Sequence, residues 1–310
     1  MMGEQDWNWR PIRGLEFVAG TPPGGGLDRA ARALVKAVTE NKLAEQPVSV
    51  LNVPGDGARA AWRFIDQFKG DGHVVSISSP NLITDKLVGL ASFDERNYSP
   101  VAILYTEYIV FITGSDGRIA DARTLLKTFS ENAASLTVSL STALGNPNHI
   151  AVSRVAVAAG GDVRAPTIRV FDTALDVVDD VVAGRADIGA VTAASIVKAL
   201  EARQLRPIAL SAPERLGGLF GGVPTWHEHG VDCVTGAWRG ITGPAGLSDP
   251  QLTYWQDLLG RATATQAWTD ELDAHYWTAK YLDGPSLHTY LERERKDYAR
   301  LLKSLGLIKT

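Results

Sequence analysis

Three turns in this 310-residue chain have the composition of an anion cradle. They are Pro23-Gly24-Gly25-Gly26-Leu27-Asp28, Asn52-Val53-Pro54-Gly55-Asp56-Gly57 and Ser141-Thr142-Ala143-Leu144-Gly145-Asn146-Pro147-Asn148-His149. All are small, rich in glycine and proline and poor in charged side chains. Each lies between a short apolar run and a segment with helical spacing. A helix start exposes unpaired backbone N–H groups and the positive end of the macrodipole, so it can hold an anion without lysine or arginine. Glycine lets a ligand oxygen come close to the backbone, and serine or threonine hydroxyls add donors. At about 1.5–3 kcal/mol per charge-assisted hydrogen bond, four or five such bonds reach roughly micromolar affinity after orientational costs.

Other chemistries fit less well. No Gly-Lys-Ser/Thr follows Pro23–Asp28 and the GxGxxG spacing is incomplete, which argues against a nucleotide. Asp28 reads as a first-turn helix acid favoured by the dipole. His149 reads as a cap or packed side chain rather than a general base, and grouping it with Ser141, Asp172 or Asp176 as a triad has no support in spacing. The six histidines read as giving no metal-binding pattern, and the single Cys233 excludes an internal disulfide or a CxxC site. No cofactor or metal is therefore expected. A net charge of −4 with no basic cluster gives no pull toward nucleic acid, and an anionic ligand must be held locally against a mildly repulsive whole. No run of about 18 apolar residues occurs, so no membrane insertion is expected. The opening stretch, Met1 to Trp9, has neither a basic nor an apolar leader region, so an exported protein would have lost its leader from this sequence. Of the eight tryptophans, Trp238 sits in a Gly-flanked strand suited to a cleft wall, and the others read as core or surface anchors.

The elements that position these turns follow from periodicity. Apolar runs at 15–19, 48–51, 73–78, 101–105, 108–113, 136–140, 167–171, 187–191, 207–211 and 234–243 predict strands. Leu27, Ala30, Ala31, Leu34, Ala37 and Val38 predict a helix, as do Ala58 to Phe68, Ala122 to Phe129, 149–159 and 175–183. From Pro250 onward the pattern is mainly helical and ends in a charged amphipathic segment, 285–305. Such alternation predicts an α/β protein with mostly parallel sheets and a site at the carboxyl ends of strands.

In register over about 15–307, the chain resembles the periplasmic substrate-binding proteins of tripartite tricarboxylate transporters, the Bug receptors, and within them the tricarboxylate-type branch. Pro23–Asp28 looks like the family's P-G-G-x-x-D turn, and Asn52–Gly57 is similar to its N-x-P-G-A-G segment. Gly70-Asp71-Gly72-His73 stands where the family has P-D-G-Y, and Ser99-Pro100-Val101-Ala102 resembles F-x-P-V-A. Gly145-Asn146-Pro147-Asn148-His149 occupies the place of G-x-x-S-x-H, and Ala183-Gly184-Arg185-Ala186-Asp187 that of G-G-x-V-D. Val223-Pro224-Thr225 with His229-Gly230 resembles V-P-T-x-x-E-x-G, and Trp238-Arg239-Gly240 with Gly243-Pro244-Ala245-Gly246 resembles W-R-G … P-x-G. Departures fall in the ligand-facing loops: Leu27 for a frequent Trp, Arg59-Ala60 for a small continuation, Pro147-Asn148 for Ser-type positions, and Phe171-Asp172-Thr173-Ala174 for F-D-G-G.

The resemblance implies a periplasmic binding protein type II-like fold, two lobes joined by two hinge crossings near Tyr105 and Thr235. Residues 1–105 and 236–310 would form one lobe and 106–235 the other. The implied ligand is a small carboxylate, a di- or tricarboxylate or related acid, delivered to the permease subunits of a membrane transporter by a monomeric, non-enzymatic receptor. Gly24, Gly25, Gly26 and Leu27, with Ser78, Ser79 and Asn81, would meet it from the first lobe. Thr142, Gly145, Asn146 and Asn148 would meet it from the second, with Phe171, Asp172, Thr173, Thr192 and Ser195 selecting its distal end. Asp172 beside an anion would favour a ligand hydroxyl or amino group, or turn away to cap a helix. Alternative readings are a receptor presenting the acid to a sensor kinase and an enzyme on the same fold.

Overall fold

The structure is a computed structural model describing residues 9–308; Trp7, the other residues before Trp9 and the last two residues lie outside it. The first strands are β1 (Leu15–Ala19), β2 (Val48–Asn52) and β3 (Val74–Ser78), linked by α1 (Gly26–Glu40) and α2 (Arg59–Ile65). Both links are helical crossovers, and β1 accordingly pairs in parallel with β2 and with β3. In α1, Leu27, Ala30, Ala31, Leu34, Ala37 and Val38 form the buried stripe expected from their spacing. After β3, a short α3 (Asn81–Leu87) follows, which the sequence pattern did not reveal.

The runs at 101–105 and 108–113 are one strand, β4 (Ser99–Gly114), with buried Thr106 and Glu107 where the two apolar runs are interrupted. The second half repeats the crossover logic with α4 (Ala122–Asn132), β5 (Thr137–Ser141), α5 (Pro147–Ala158), β6 (Thr167–Phe171), α6 (Ala174–Val182) and β7 (Ile188–Thr192). Here β5 pairs in parallel with β6 and β7. A short α7 (Val197–Glu201), β8 (Leu205–Leu210) and β9 (Gly236–Gly243) follow, then α8 (Asp249–Thr263) and α9 (Gln266–His275). The tail, expected to be mainly helical, also holds β10 (Thr278–Asp283) before the long α10 (Gly284–Ser304).

The strands form one curled ten-stranded sheet in the order β2-β1-β3-β9-β4-β7-β5-β6, with β8 and β10 also on β4. Pairing is parallel among the outer strands of each half, where helices connect them, and antiparallel wherever β4 or β9 is involved. The first ten residues of β4 pair with β9, and from Ile109 onward it pairs with β7 and β8. Side chains divide the same way. Phe17, Trp62, Trp255 and Trp268 fill a core around β1 and β3, while Phe111, Phe129 and Trp226 fill one around β5. A third core lies under α6, and a fourth joins Ile103, Ile150, Trp238 and Leu302 beneath α10. The turns at the carboxyl ends of β1, β2, β5 and β6 thus rim one groove.

Candidate functional site

The turn after β1 is shaped by Asp28. Its buried carboxylate accepts the Gly24 N–H at 2.7 Å, the Asn52 amide at 2.8 Å and the Arg32 Nε at 2.9 Å. Burial pushes this carboxyl up, but the hydrogen bonds from Arg32, Asn52 and Gly24 outweigh it and hold it below the ordinary aspartate value. Gly24 has φ +83°, a left-handed conformation that glycine adopts at little cost. Gly25 is the extended N-cap residue of α1, and its N–H goes to Pro22 O. A Cβ on Gly25 would lie 2.5 Å from Thr21 Cβ, so glycine is needed there for packing rather than for ligand approach. The amides left without partners among the described residues at this helix start are those of Gly26 and Leu27.

The facing turn is built on α5. Asn146 caps it by accepting the His149 N–H, and Pro147 occupies the first helical position, where its missing N–H costs nothing. Starting two residues earlier than the spacing suggested, α5 brings Asn148 into its first turn. Asn146 Nδ2 donates to Ser141 O and Thr142 Oγ1, both at 2.7 Å, and Asn148 Nδ2 to Ser141 Oγ at 2.9 Å. Thr142 itself has φ +69°, an unusual conformation for a β-branched residue, held by its N–H to Phe171 O at 2.7 Å. His149 is buried, and its Nδ1 accepts the Gly145 N–H at 3.0 Å. Burial lowers its pKa to about 4, so the imidazole is neutral and structural. At α6, Thr173 is the N-cap and accepts the Asp176 N–H.

These turns and the 52–57 turn line one cavity of about 430 Å³. Gly24, Gly25, Gly26, Leu27, Ser79, Asn81, Thr142, Asn146, Asn148, Asp172, Thr173, Thr192 and Ser195 all border it. The walls touch: Asn81 Nδ2 donates to Thr142 Oγ1 at 3.2 Å, and Arg29 Nη2 to Ser195 Oγ at 3.3 Å. Three expected residues do not border the cavity. Ser78 faces the opposite side of β3, in a smaller cavity of about 230 Å³ shared with Leu82, Ile83 and Trp238. Gly145 packs on Val88, which a Cβ would approach to 2.5 Å, and its N–H is taken by His149. Phe171 turns its ring toward the Arg169 guanidinium, 5.5 Å away. Trp238, read as a cleft wall, belongs to the smaller cavity because strand alternation gives the main one to Ala237 and Arg239.

Two residues that sequence reasoning missed are cations. Arg29 follows Gly25 and Gly26 by one helical turn, so it projects over the same helix start. Arg239 is the central residue of the Trp238-Arg239-Gly240 motif, and its alternation on β9 signals its direction. An ideal Cβ on Gly26 would lie 3.8 Å from Arg239 Nη2 and 3.9 Å from Arg29 Nη2, so both guanidiniums flank the same helix start. Arg239 donates to Glu107 Oε2 at 2.8 Å in a buried pair on the two central strands. Burial, with the Glu107 charge beside it, pushes the Tyr105 phenol well above its ordinary value. The cavity is therefore a ring of helix starts over an arginine-bearing floor.

His227 and His229 do stand in a His-x-His spacing, contrary to the sequence reading, but Glu228 between them is committed to Arg215 and Thr225. No group of three side chains suited to a metal ion occurs among the described residues. No helix among them is long and apolar enough to cross a membrane.

No family model matches the chain. By sequence it is 28% identical over 242 residues to the UPF0065 protein in the tcbD-tcbE intergenic region of Pseudomonas sp. (strain P51), covering 76% of this chain and 69% of that protein. By fold it is similar to R. palustris Rpa4515 solved with adipate, with a TM-score of 0.86 at 20% identity over 96% of this chain and 98% of that one. It is also similar to a ligand-free TctC solute-binding protein from Polaromonas, with a TM-score of 0.70 at 22% identity over 95% and 99% of the two chains. The sequence relative and the solved structures of similar fold agree with the motifs: what the chain resembles is the TctC and Bug solute-binding proteins.

Proposed function

We propose that this chain is a periplasmic receptor that closes over a small carboxylate and delivers it to the permease subunits of a tripartite tricarboxylate-type transporter. The observation that carries the reading is the convergence of the α1, α5 and α6 starts, with Arg29 and Arg239, on one cavity of about 430 Å³. That size falls within the range of small-molecule sites. Three helix starts and two arginines meeting in one partly desolvated groove favour an anion, whatever the net charge of the whole chain. The adipate-bound structure of similar fold supports a carboxylic acid as that anion.

Residues 1–105 with 236–310 form one lobe in this reading and 106–235 the other. The change of β4 partners between Tyr108 and Ile109 supports crossings near Tyr105 and Thr235. The amides of Gly26 and Leu27, with Ser79 and Asn81, hold one end of the acid, and Thr142, Asn148, Thr173, Thr192 and Ser195 meet the rest. Gly24, Gly25 and Asn146 shape the turns rather than donate. Asp172, exposed at the cavity edge, suits a ligand hydroxyl or amino group.

Thermal melting and titration calorimetry with succinate, glutarate, adipate, malate and citrate test the reading. At least one acid should bind at about micromolar Kd and raise Tm, with a smaller radius of gyration in small-angle scattering. No binding at millimolar concentration across the set would sink it.

A further inference from the structure

We propose that Arg29 determines specificity in this cleft by taking the charge of the bound acid while it fastens the facing wall through Ser195. The proposal rests on the receptor reading and adds a residue role to it. Four charged side chains border the cavity: Arg29, Asp56, Asp172 and Arg239. Arg239 is neutralised by Glu107, and Asp56 is paired with Arg63. Asp28, next in sequence to Arg29, gives its carboxylate to Arg32, Asn52 and Gly24. Arg29 forms no ion pair among the described residues. Its partners are two neutral oxygens, Gly24 O at 2.7 Å and Ser195 Oγ at 3.3 Å, and its Nε is buried without a partner. The neighbouring helix start has a vacant pair of amides, at Gly26 and Leu27.

A cation held against a helix start, with a free donor and no counter-charge, is the most favourable local partner for a carboxylate. The same guanidinium reaches Ser195 on the opposite wall, which follows β7. An acid seated on α1 therefore favours the arrangement in which Arg29 spans the groove. This links recognition to wall closure through one side chain.

The test uses the whole chain with succinate, glutarate and adipate as probes, measured by calorimetry at 20 and 500 mM NaCl. In the wild type, affinity for the bound probe should fall with salt. Arg29→Met should weaken binding about 10- to 100-fold at low salt, the loss of one or two charge-assisted bonds, and should flatten the salt dependence. Arg29→Lys should recover a substantial part of both, because it restores charge without the fork geometry. Ser195→Ala should weaken binding by a few fold at both salt concentrations, since it removes the fastening and leaves the charge. If the wild type binds a probe and Arg29→Met binds it equally well with an unchanged salt slope, the proposal falls while the receptor reading survives. An unaffected Ser195→Ala variant overturns the fastening, and a wild type that binds none of the probes overturns both readings.

Discussion

Gly26 and Gly25 are adjacent in sequence and do opposite things, which makes them a sharp pair for mutation. A Cβ on Gly26 meets nothing closer than the tips of two arginines, 3.8 and 3.9 Å away, and its φ is not in the left-handed region. Gly26→Ala should therefore fold normally, with stability unchanged or raised by up to about 1 kcal/mol from helix propensity. The new methyl would stand between Arg29 and Arg239, on the line by which an anion approaches the Gly26 and Leu27 amides. Loss of one charge-assisted hydrogen bond, about 1.5–3 kcal/mol, corresponds to roughly 10- to 150-fold weaker binding. Gly25→Ala drives its Cβ to 2.5 Å from Thr21 Cβ and 2.6 Å from Thr21 Oγ1, so the turn must shift. That overpacking should cost about 1–3 kcal/mol. Denaturant titration gives stability, and calorimetry with the acid that binds the wild type gives affinity. The expected result is a stable Gly26→Ala with impaired binding beside a destabilised Gly25→Ala. Wild-type affinity in Gly26→Ala would refute the placement of the anion at this helix start.

Three further outcomes follow from buried groups. His149 titrates near 4 when folded and near 6.5 when unfolded, so the unfolded chain takes up its proton first as pH falls. Its contribution is complete above about pH 6.5 and is lost toward pH 4, by up to about 3 kcal/mol. Asp85 acts oppositely: burial pushes it up to about 6 despite Arg59, so its charged form weakens the fold as pH rises from 3.8 through 6. Comparing His149→Asn with the wild type by urea unfolding at pH 4.5 and 7.5 isolates the histidine, and equal slopes would contradict its buried neutral state. Arg59→Met strands the Asp85 carboxylate, which pairs with Arg59 at 2.9 Å. It should cost about 3 kcal/mol or more at pH 8 and less at pH 5, where Asp85 can protonate. Asp28→Ala removes the acceptor for Gly24, Asn52 and Arg32 and should cost about 2–4 kcal/mol in chemical denaturation.

The outer strands were legible because each is a short, mainly apolar stretch bounded by turn residues, and Leu15–Ala19 and Thr167–Phe171 lie where the pattern places them. The central strand was not, because Thr106 and Glu107 interrupt its apolar run and suggest a break. Glu107 is buried there because Arg239 neutralises it from the neighbouring strand, a tertiary partnership 132 residues away. No local pattern reports such a pair. Strand β10 was hidden for a related reason. Its residues are only partly buried, so their periodicity is weak, and pairing with β4 rather than local propensity makes them a strand.

The chemistry of the site was half legible, and the division has a physical basis. Backbone donors at helix starts are announced by glycine and proline, since those residues are selected by local geometry. Side-chain cations are not announced, because an arginine in a first helical turn normally faces solvent. What turns Arg29 into the cleft is helix geometry: adjacent positions point in different directions, so Asp28 lies buried with its three donors while Arg29 faces the groove. Arg32, one turn from Asp28, takes the pair, and Arg29, one turn from Gly25 and Gly26, faces the groove. What matters for the ligand is thus the order Asp28-Arg29 with Arg32, which leaves one positive charge unpaired at this turn. A relative that keeps the glycines but carries an apolar residue at position 29 should still offer the amide cradle, and bind its acid with a weaker dependence on salt.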